Sequence, residues 1–275
     1  MTADLRTIAR LEFVAAVRLK WVRLLGAAFA LIAAAAAYAS GAANDVSGSD
    51  EFARTTMTLV PLSLILVPLA ALVLGISGQA VEQDGEPFLF AQPVGRATIV
   101  VGRWVGQAAA LGGAIVAGLG VGAAVVGSSS GPVGVAGYAL FVAASVVLAL
   151  IFLSIAAVIA ASTPTRAAAL SIATFVWFFF VLLYDGAALS LASWITGPAG
   201  SRILFASVFG NPADLVRVVT LLVAGTPNVL GAAGDAWLRF LGGSTVAPMA
   251  ATVVLTTWIA APLIVGVRLM NRRDL

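Results

Sequence analysis

Six apolar stretches of membrane-spanning length constrain this chain more than any other feature of its sequence. In lipid, backbone polar groups must be satisfied inside each segment, so every stretch is predicted to be a helix. Each is about as long as the ~20 residues that cross the hydrocarbon core of a bilayer. With 61% hydrophobic and 10% charged residues, the chain is predicted to be an all-α membrane protein with six transmembrane helices. The stretches are 24–40, 57–77, 98–126, 135–161, 167–184 and 246–267.

Basic residues identify one side of the membrane. They lie before the first stretch, after the second and fourth, and after the last. By the positive-inside rule, these segments and both chain termini are predicted to be cytoplasmic. The bias accounts for the net charge of +3, so no nucleic-acid partner is predicted. The residues are Arg6, Arg10, Arg18, Lys20, Arg23, Arg96, Arg103, Arg166, Arg268, Arg272 and Arg273.

The residue inventory excludes most enzyme chemistry. The sequence has no cysteine and no histidine, which rules out disulfides, a cysteine nucleophile, a Ser–His pair and Cys/His zinc sites. The acid nearest a helix interior is Asp185, at the predicted outer end of the fifth stretch, and no second acid is near it in sequence. The chain is therefore predicted not to be an enzyme and to bind no metal or cofactor itself.

Residues 4–23 are predicted to form an amphipathic elbow helix in the cytoplasmic membrane interface. Apolar residues recur there at spacings of three and four, which places them on one helical stripe. Two interpretations stay open: a topological anchor, or part of a docking surface for a cytoplasmic subunit. The stripe is Ile8, Leu11, Ala15, Leu19 and Val22.

A charged break separates the second and third stretches, within a predicted coupling loop over 78–98. Pro87 suits the first position of a helix, and a helix is expected to stop before Pro93, so a short cytoplasmic helix is predicted from Pro87 to the residues before Pro93. A solvated turn is the alternative, but the apolar side chains there favour a surface covered by a soluble partner. The acids of the loop are Glu82, Asp84 and Glu86, and its apolar residues are Phe88, Leu89 and Phe90.

The segment over 186–245 is too apolar for a flexible loop and too interrupted to span the membrane. Asn211 suits a helix N-cap, Pro212 the first helical position and Asp214 the positively polarised end. A helix of about twelve residues from there would be roughly 18 Å long, about half a membrane, so it is predicted to be interfacial or re-entrant. Asp214 and Arg217 are three residues apart and are predicted to pair.

Small residues in the third stretch predict close helix packing. Packing within the chain and packing across a dimer are both compatible with the sequence. The glycines are paired as Gly102 with Gly106 and Gly118 with Gly122.

Several segments resemble the permease subunits of export-type ABC transporters of the second class. The class-wide points are the elbow helix, the loop ending at Gln92-Pro93-Val94-Gly95-Arg96, and the long outer segment. A narrower similarity is to the permeases of complexes that mature nitrous oxide reductase. The resemblance covers essentially the whole chain, which implies a single permease domain over 1–275. Its narrower points are Ile8-Ala9-Arg10 with Glu12, Val176-Trp177-Phe178, Tyr184-Asp185, and Asn211-Pro212-Ala213-Asp214 with Arg217.

The resemblance implies an architecture and a set of partners. Six transmembrane helices would be joined by an N-terminal elbow helix, a cytoplasmic coupling helix and outer re-entrant or interfacial helices. A homodimer in a prokaryotic inner membrane would bind two copies of a separate cytoplasmic ABC ATPase, which carries ATP and Mg²⁺. The sequence has no Walker A pattern, in agreement with ATP hydrolysis on another polypeptide. Membrane lipid and a periplasmic accessory protein are the other implied partners.

The same resemblance implies two groups of site residues. For two of these residues, Asn211 and Asp214, the alternative to a site role is a purely structural one, as a helix cap and an ion pair. The ATPase-coupling group is Glu82, Asp84, Glu86, Phe88, Phe90, Pro93 and Arg96, together with Arg10 and Glu12 of the elbow helix. The group facing an outer partner or substrate is Asp185, Asn211, Pro212, Asp214 and Arg217.

Ligand chemistry restricts the cargo. Copper prefers soft or imidazole ligands, and direct copper transport is not predicted because the methionines are scattered. Two options remain within the narrower resemblance: export of a sulfur-containing species, and mechanical signalling to an outer partner in copper–sulfur cluster assembly. The alternatives are a generic exporter of lipid, peptide or drug, and a non-transporting membrane scaffold. The methionines are Met1, Met57, Met249 and Met270.

Overall fold

The computed structural model describes residues 2–41, 48–80, 95–126, 132–195, 198–223 and 246–272. These residues are helical apart from short breaks. Most of the predicted coupling loop, and the end of the outer segment, lie outside them. The helices are α1 (Thr2–Arg18), α2 (Lys20–Gly41), α3 (Gly48–Ala80), α4 (Arg96–Val126), α5 (Pro132–Ser162), α6 (Arg166–Phe178), a π-helical turn (Phe179–Leu183), α7 (Tyr184–Trp194), α8 (Pro198–Ser207), a 3₁₀ turn (Val208–Gly210), α9 (Pro212–Val223) and α10 (Val246–Arg272).

Six helices in the described part of the chain are long and apolar enough to cross a membrane, which confirms the predicted all-α membrane fold. Five spans are formed by α2, α3, α4, α5 and α10. The fifth span in chain order is the run of α6, the π-helical turn and α7, over Arg166–Trp194. It continues past residue 184, its predicted end, because the following residues stay apolar and helical. A bent pair, Arg202–Gly210 with Pro212–Leu221, turns through 108° and corresponds to the predicted re-entrant segment.

Helix α5 is the centre of the bundle and contacts α3, α4, α6, α9 and α10. Its own residues are apolar on every face, as expected for a helix at the centre of a membrane bundle. Leu148, Ile151 and Phe152 are buried in the core. The hydroxyls of Ser145 and Ser154 donate to carbonyls four residues earlier, so their polarity is satisfied within the helix.

The fifth span and α10 are covered much less than α3 and α5. Large apolar side chains stand exposed on them, including Phe175, Leu182 and Val253. In a membrane, such faces are stable against lipid or against another membrane-embedded chain. These two spans are therefore the least covered of the six within the described part of the chain.

Helix α1 packs along α4 through two glycines. A Cβ placed on Gly102 would lie 2.9 Å from Ile8 Cγ2, and one on Gly106 would overlap the Ala9 carbonyl oxygen. This close approach divides the predicted apolar stripe, because Ile8 faces α4 whereas Leu11 is 65% exposed. The predicted segment over 4–23 is also broken, since α1 ends before Leu19 and α2 begins after it.

The second glycine pair of α4 packs against α2. A Cβ on Gly118 would lie 2.7 Å from the Gly26 carbonyl oxygen, and one on Gly122 would lie 2.9 Å from Ala33 Cβ. Both glycine pairs are therefore covered by helices of the same chain. The close packing predicted for this span occurs within the chain.

Two glycines of α4 provide a matched test of this packing. Gly106→Ala is expected to lower the free energy of unfolding by about 1–3 kcal/mol, because the added methyl forces α1 away from α4. At Gly113 a Cβ would meet nothing within 4 Å. Gly113→Ala is therefore expected to be neutral or to stabilise by up to ~1 kcal/mol through helix propensity. Thermal unfolding in detergent measures both, and effects of the same sign and size would contradict the packing described.

Candidate functional site

Charged and polar side chains meet where the fifth span leaves the bundle. Asp185 stands in the first turn of α7, and Asn211, Asp214 and Arg217 stand at the start of α9. We refer to these four residues as the Asp185 cluster. Pro212 is the first residue of α9, as predicted. The structure thus brings together residues that are far apart in sequence.

The cluster is positioned by a hairpin made of α8, the 3₁₀ turn and α9. Tyr184 Oη donates a hydrogen bond of 2.8 Å to the Ser207 carbonyl. A Cβ on Gly210 would overlap the same hydroxyl. Glycine at this position therefore allows Tyr184 to hold the bend of the hairpin against the fifth span.

Asn211 is the N-cap of α9, as predicted. Its backbone is extended, with φ −118° and ψ 109°, and its Oδ1 accepts a hydrogen bond of 3.0 Å from the Ala213 N–H. Its Nδ2 donates to Asp214 Oδ2 and to the Phe180 carbonyl, both at 2.9 Å. The residue is buried, and these three bonds use both ends of its amide.

The Phe180 carbonyl accepts from Asn211 because of the π-helical turn. There the Tyr184 N–H donates to the Phe179 carbonyl, five residues back. Phe180 consequently loses the donor that an α-helix would supply. Within a membrane a carbonyl in that position needs another partner. Asn211 supplies it and fastens the hairpin to the fifth span.

Arg217 joins the two acids of the cluster. Its Nη2 lies 2.7 Å from Asp214 Oδ1 and 3.1 Å from Asp185 Oδ2. The pairing of Asp214 with Arg217 was predicted from spacing and is confirmed, and the fold adds Asp185. In the described part of the chain, no three acidic side chains converge to hold a metal ion.

Exposure divides the Asp185 cluster into two halves. The side chain of Asp214 is 11% exposed, whereas those of Asp185 and Arg217 are 50% and 42% exposed. The contacts of Asn211 and Asp214 are those of a helix cap. The outer-face role stays a prediction, and Asp185 and Arg217 are the charged members whose side chains the described part of the chain leaves partly uncovered.

Trp258 connects the hairpin to α10. Its Nε1 donates a hydrogen bond of 3.1 Å to the Phe209 carbonyl, and its ring packs edge-on against Phe180 at 5.7 Å between centroids. The sequence alone did not identify Trp258 or Phe180 as part of this contact. The available signal was a tryptophan inside the last apolar stretch, where an indole N–H requires a partner.

The opposite end of the bundle is basic. We call it the basic end; it comprises α1, the starts of α4 and α6, and the ends of α3 and α10. Arg96 donates a 3.3 Å hydrogen bond to the Met270 carbonyl, and Arg166 donates one of 3.2 Å to Ser77 Oγ. Of the ATPase-coupling residues predicted in the loop, Arg96 lies within the described part of the chain. The others lie outside it: Glu82, Asp84, Glu86, Phe88, Phe90 and Pro93.

Glu12 links α1 to the bundle at the basic end, whereas Arg10 is exposed. Glu12 Oε1 accepts a hydrogen bond of 2.8 Å from Gln107 Nε2, and a Cβ on Gly78 would overlap both side chains. Burial raises the pKa of Glu12, although the bond from Gln107 and the charge of Arg103 act in the other direction. The sequence alone did not identify Gln107 as a site residue. Its signal was a lone amide side chain in a long apolar stretch, which requires a hydrogen-bond partner inside the protein.

An apolar groove of about 730 Å³ runs between α5 and α10. Ile155, Trp258 and Phe209 are among its lining residues, so the groove reaches the hairpin. The one hydroxyl in the lining belongs to Thr257 and donates to the Val253 carbonyl at 2.8 Å. A ligand in this groove would therefore have to be apolar.

Comparison with known proteins assigns the class. The ABC-2 family transporter protein model matches residues 6–275, so the chain belongs to this family of ABC permeases. Such a permease works with an ATPase subunit and typically has no catalytic activity of its own. The chain is 28% identical over 275 residues to the probable ABC transporter permease protein NosY of Pseudomonas aeruginosa, with 98% of each chain covered. It is 27% identical to the protein of the same name from Stutzerimonas stutzeri, with 97% of each covered.

The two halves of the Asp185 cluster are expected to respond differently to mutation. Asn211→Ala should lower the free energy of unfolding by about 1–2 kcal/mol or more, because it removes the cap and leaves the Phe180 carbonyl unpaired. Asp185→Asn should change it by less than about 0.5 kcal/mol, as for other accessible positions. Thermal or denaturant unfolding in detergent compares them. Equal losses would show that the whole cluster is structural.

Proposed function

We propose that this chain is the permease subunit of a NosY-like ABC complex, which couples ATP hydrolysis to an outer partner in copper–sulfur cluster assembly for nitrous oxide reductase. Two copies would bind two ATPase subunits in a prokaryotic inner membrane, with both termini cytoplasmic. The observation that carries the proposal is the exposed Asp185–Arg217 pair, which joins the fifth span to the hairpin. Similarity to NosY over nearly the whole chain supports it.

The basic end is the proposed ATPase-binding side. Its loop carries the acids and apolar residues predicted to meet the ATPase, and the loop ends at Arg96, which holds the Met270 carbonyl at the end of α10. The same helix holds the hairpin through Trp258 and Phe209. Helix α10 is therefore a direct mechanical connection between the coupling loop and the Asp185 cluster.

The distribution of methionines supports mechanical signalling rather than copper conduction. Met57 lies in α3, whereas Met249 and Met270 lie at opposite ends of α10. A copper path would bring such soft ligands together. Export of a sulfur-containing species is compatible with the same subunit arrangement, since it would also require ATP-driven motion of α10.

One observation favours a second candidate, a generic exporter of apolar compounds. The groove between α5 and α10 has a volume typical of small-molecule sites, which run from about 300 to 1,000 Å³. Its lining is almost entirely apolar. A lipid, drug or apolar peptide would fit this chemistry, and an exporter of that kind would need no outer protein.

Variants of the accessible pair separate these candidates. Arg217→Ala and Asp185→Asn are expected to reduce maturation of nitrous oxide reductase at least roughly tenfold, because a hydrogen bond to a charged group contributes about 1.5–3 kcal/mol and ~1.4 kcal/mol corresponds to tenfold. The assay is active reductase in cells whose own permease gene is replaced by the variant. Folded permease and its ATPase are quantified in parallel.

Arg202→Ala is the matched control, because it removes an exposed arginine from the same hairpin outside the cluster. It should leave maturation unchanged. A loss of activity in proportion to folded permease would assign the pair a structural role. Failure of the unmodified chain to co-purify with any ATPase would instead favour the non-transporting scaffold.

A further inference from the structure

One face of α1 carries three arginines and is not covered by the described part of the chain. Arg6, Arg10 and Arg18 border a shallow groove of about 780 Å³ along the helix, with Leu11 and Val14 between them. All three arginines are exposed. We call this surface the arginine face.

The other side of α1 is the one that the protein covers. Ile8 packs against Gly102, and Glu12 accepts a hydrogen bond from Gln107. The Glu12 carboxylate is therefore directed toward α4 and away from the arginine face. Asp4 is the remaining acid of α1. Even if its full negative charge is assigned to the arginine face, the three arginines leave that face with a net positive charge.

The spacing of the arginines suits a row of anionic groups rather than a single one. Along the helix axis, Arg6 and Arg10 are about 6 Å apart, and Arg10 and Arg18 about 12 Å apart, at 1.5 Å per residue. A guanidinium group binds phosphate through two parallel hydrogen bonds. The geometry points to binding of anionic phospholipid headgroups by the arginine face.

Apolar residues around the arginines favour a lipid over a soluble protein as the occupant. Leu11, Phe13, Val14 and Val17 are all exposed on α1. A helix that shows aliphatic side chains beside arginines is typical of the membrane interface, with its apolar groups at the acyl chains and its charges at the headgroups. The first span begins two residues after α1 ends, which keeps the arginine face near the headgroups.

This inference requires only that the chain is embedded in a membrane, so it does not depend on the cargo or partner proposed above. Each basic residue near an anionic membrane surface contributes about fivefold in affinity, and salt weakens the contribution. Removing the charge of two arginines should therefore weaken binding of anionic lipid roughly 25-fold. Binding of zwitterionic lipid should not change.

The test uses the purified full-length chain in an uncharged detergent. Phosphatidylglycerol or phosphatidylcholine is added in steps, and the thermal unfolding midpoint is followed. Phosphatidylglycerol should raise the midpoint of the unmodified chain more than phosphatidylcholine does. The R6Q/R10Q variant should need about 25-fold more phosphatidylglycerol for the same rise, whereas R54Q/R202Q, which removes two exposed arginines elsewhere, should titrate normally.

A second readout covers the case in which R6Q/R10Q folds poorly. Native mass spectrometry counts the phosphatidylglycerol molecules that co-purify, and R6K/R10K, which keeps the charges, should retain most of them. An unchanged titration of R6Q/R10Q, or equal stabilisation by the two lipids, would overturn the inference. The inference would also be overturned if R6Q/R10Q kept its response to lipid but no longer bound the ATPase. The arginine face would then be an ATPase-binding surface, and the proposed function would stand.

Discussion

Inside a bilayer, a backbone carbonyl without its helical donor must be satisfied by another protein group, and the hairpin depends on this constraint. Three side chains donate to carbonyls that join the hairpin to the fifth span and α10. The bonds also fix the orientation of α9, and with it the place where Arg217 meets Asp185 of the fifth span. The pairs are Asn211 with Phe180, Tyr184 with Ser207, and Trp258 with Phe209.

The two ends of the bundle are held by different chemistry. At the basic end, Gly102 and Gly106 of α4 allow α1 to approach the α4 backbone, and Gln107 of α4 donates a hydrogen bond to Glu12 of α1. At the other end, directional hydrogen bonds dominate. Helix α10 touches both, through the Met270 carbonyl and Trp258. A displacement at the basic end, the proposed ATPase-binding side, would thus reach the Asp185 cluster through one helix.

Local sequence signals predicted local structure well. Apolar length gave the six spans, and Asn211 with Pro212 gave the start of α9, because capping depends on adjacent residues. Contacts between distant segments were harder. Neither the π-helical turn nor the partner of Gln107 could be read from spacing, and the partner depends on how α1 packs against α4. The apolar stripe of α1 was divided for the same reason, as Gly106 determines which face of α1 is covered.

The central claim is that the hairpin re-enters the outer side of the membrane while the basic end faces the cytoplasm. Because the chain has no cysteine, single cysteines at Arg202 in the hairpin and Arg272 at the end of α10 can be labelled with a membrane-impermeant maleimide. In intact cells, the cysteine at 202 should react and the one at 272 should react after permeabilisation. Reaction of both positions from the same side would contradict the re-entrant topology and the mechanical account built on it.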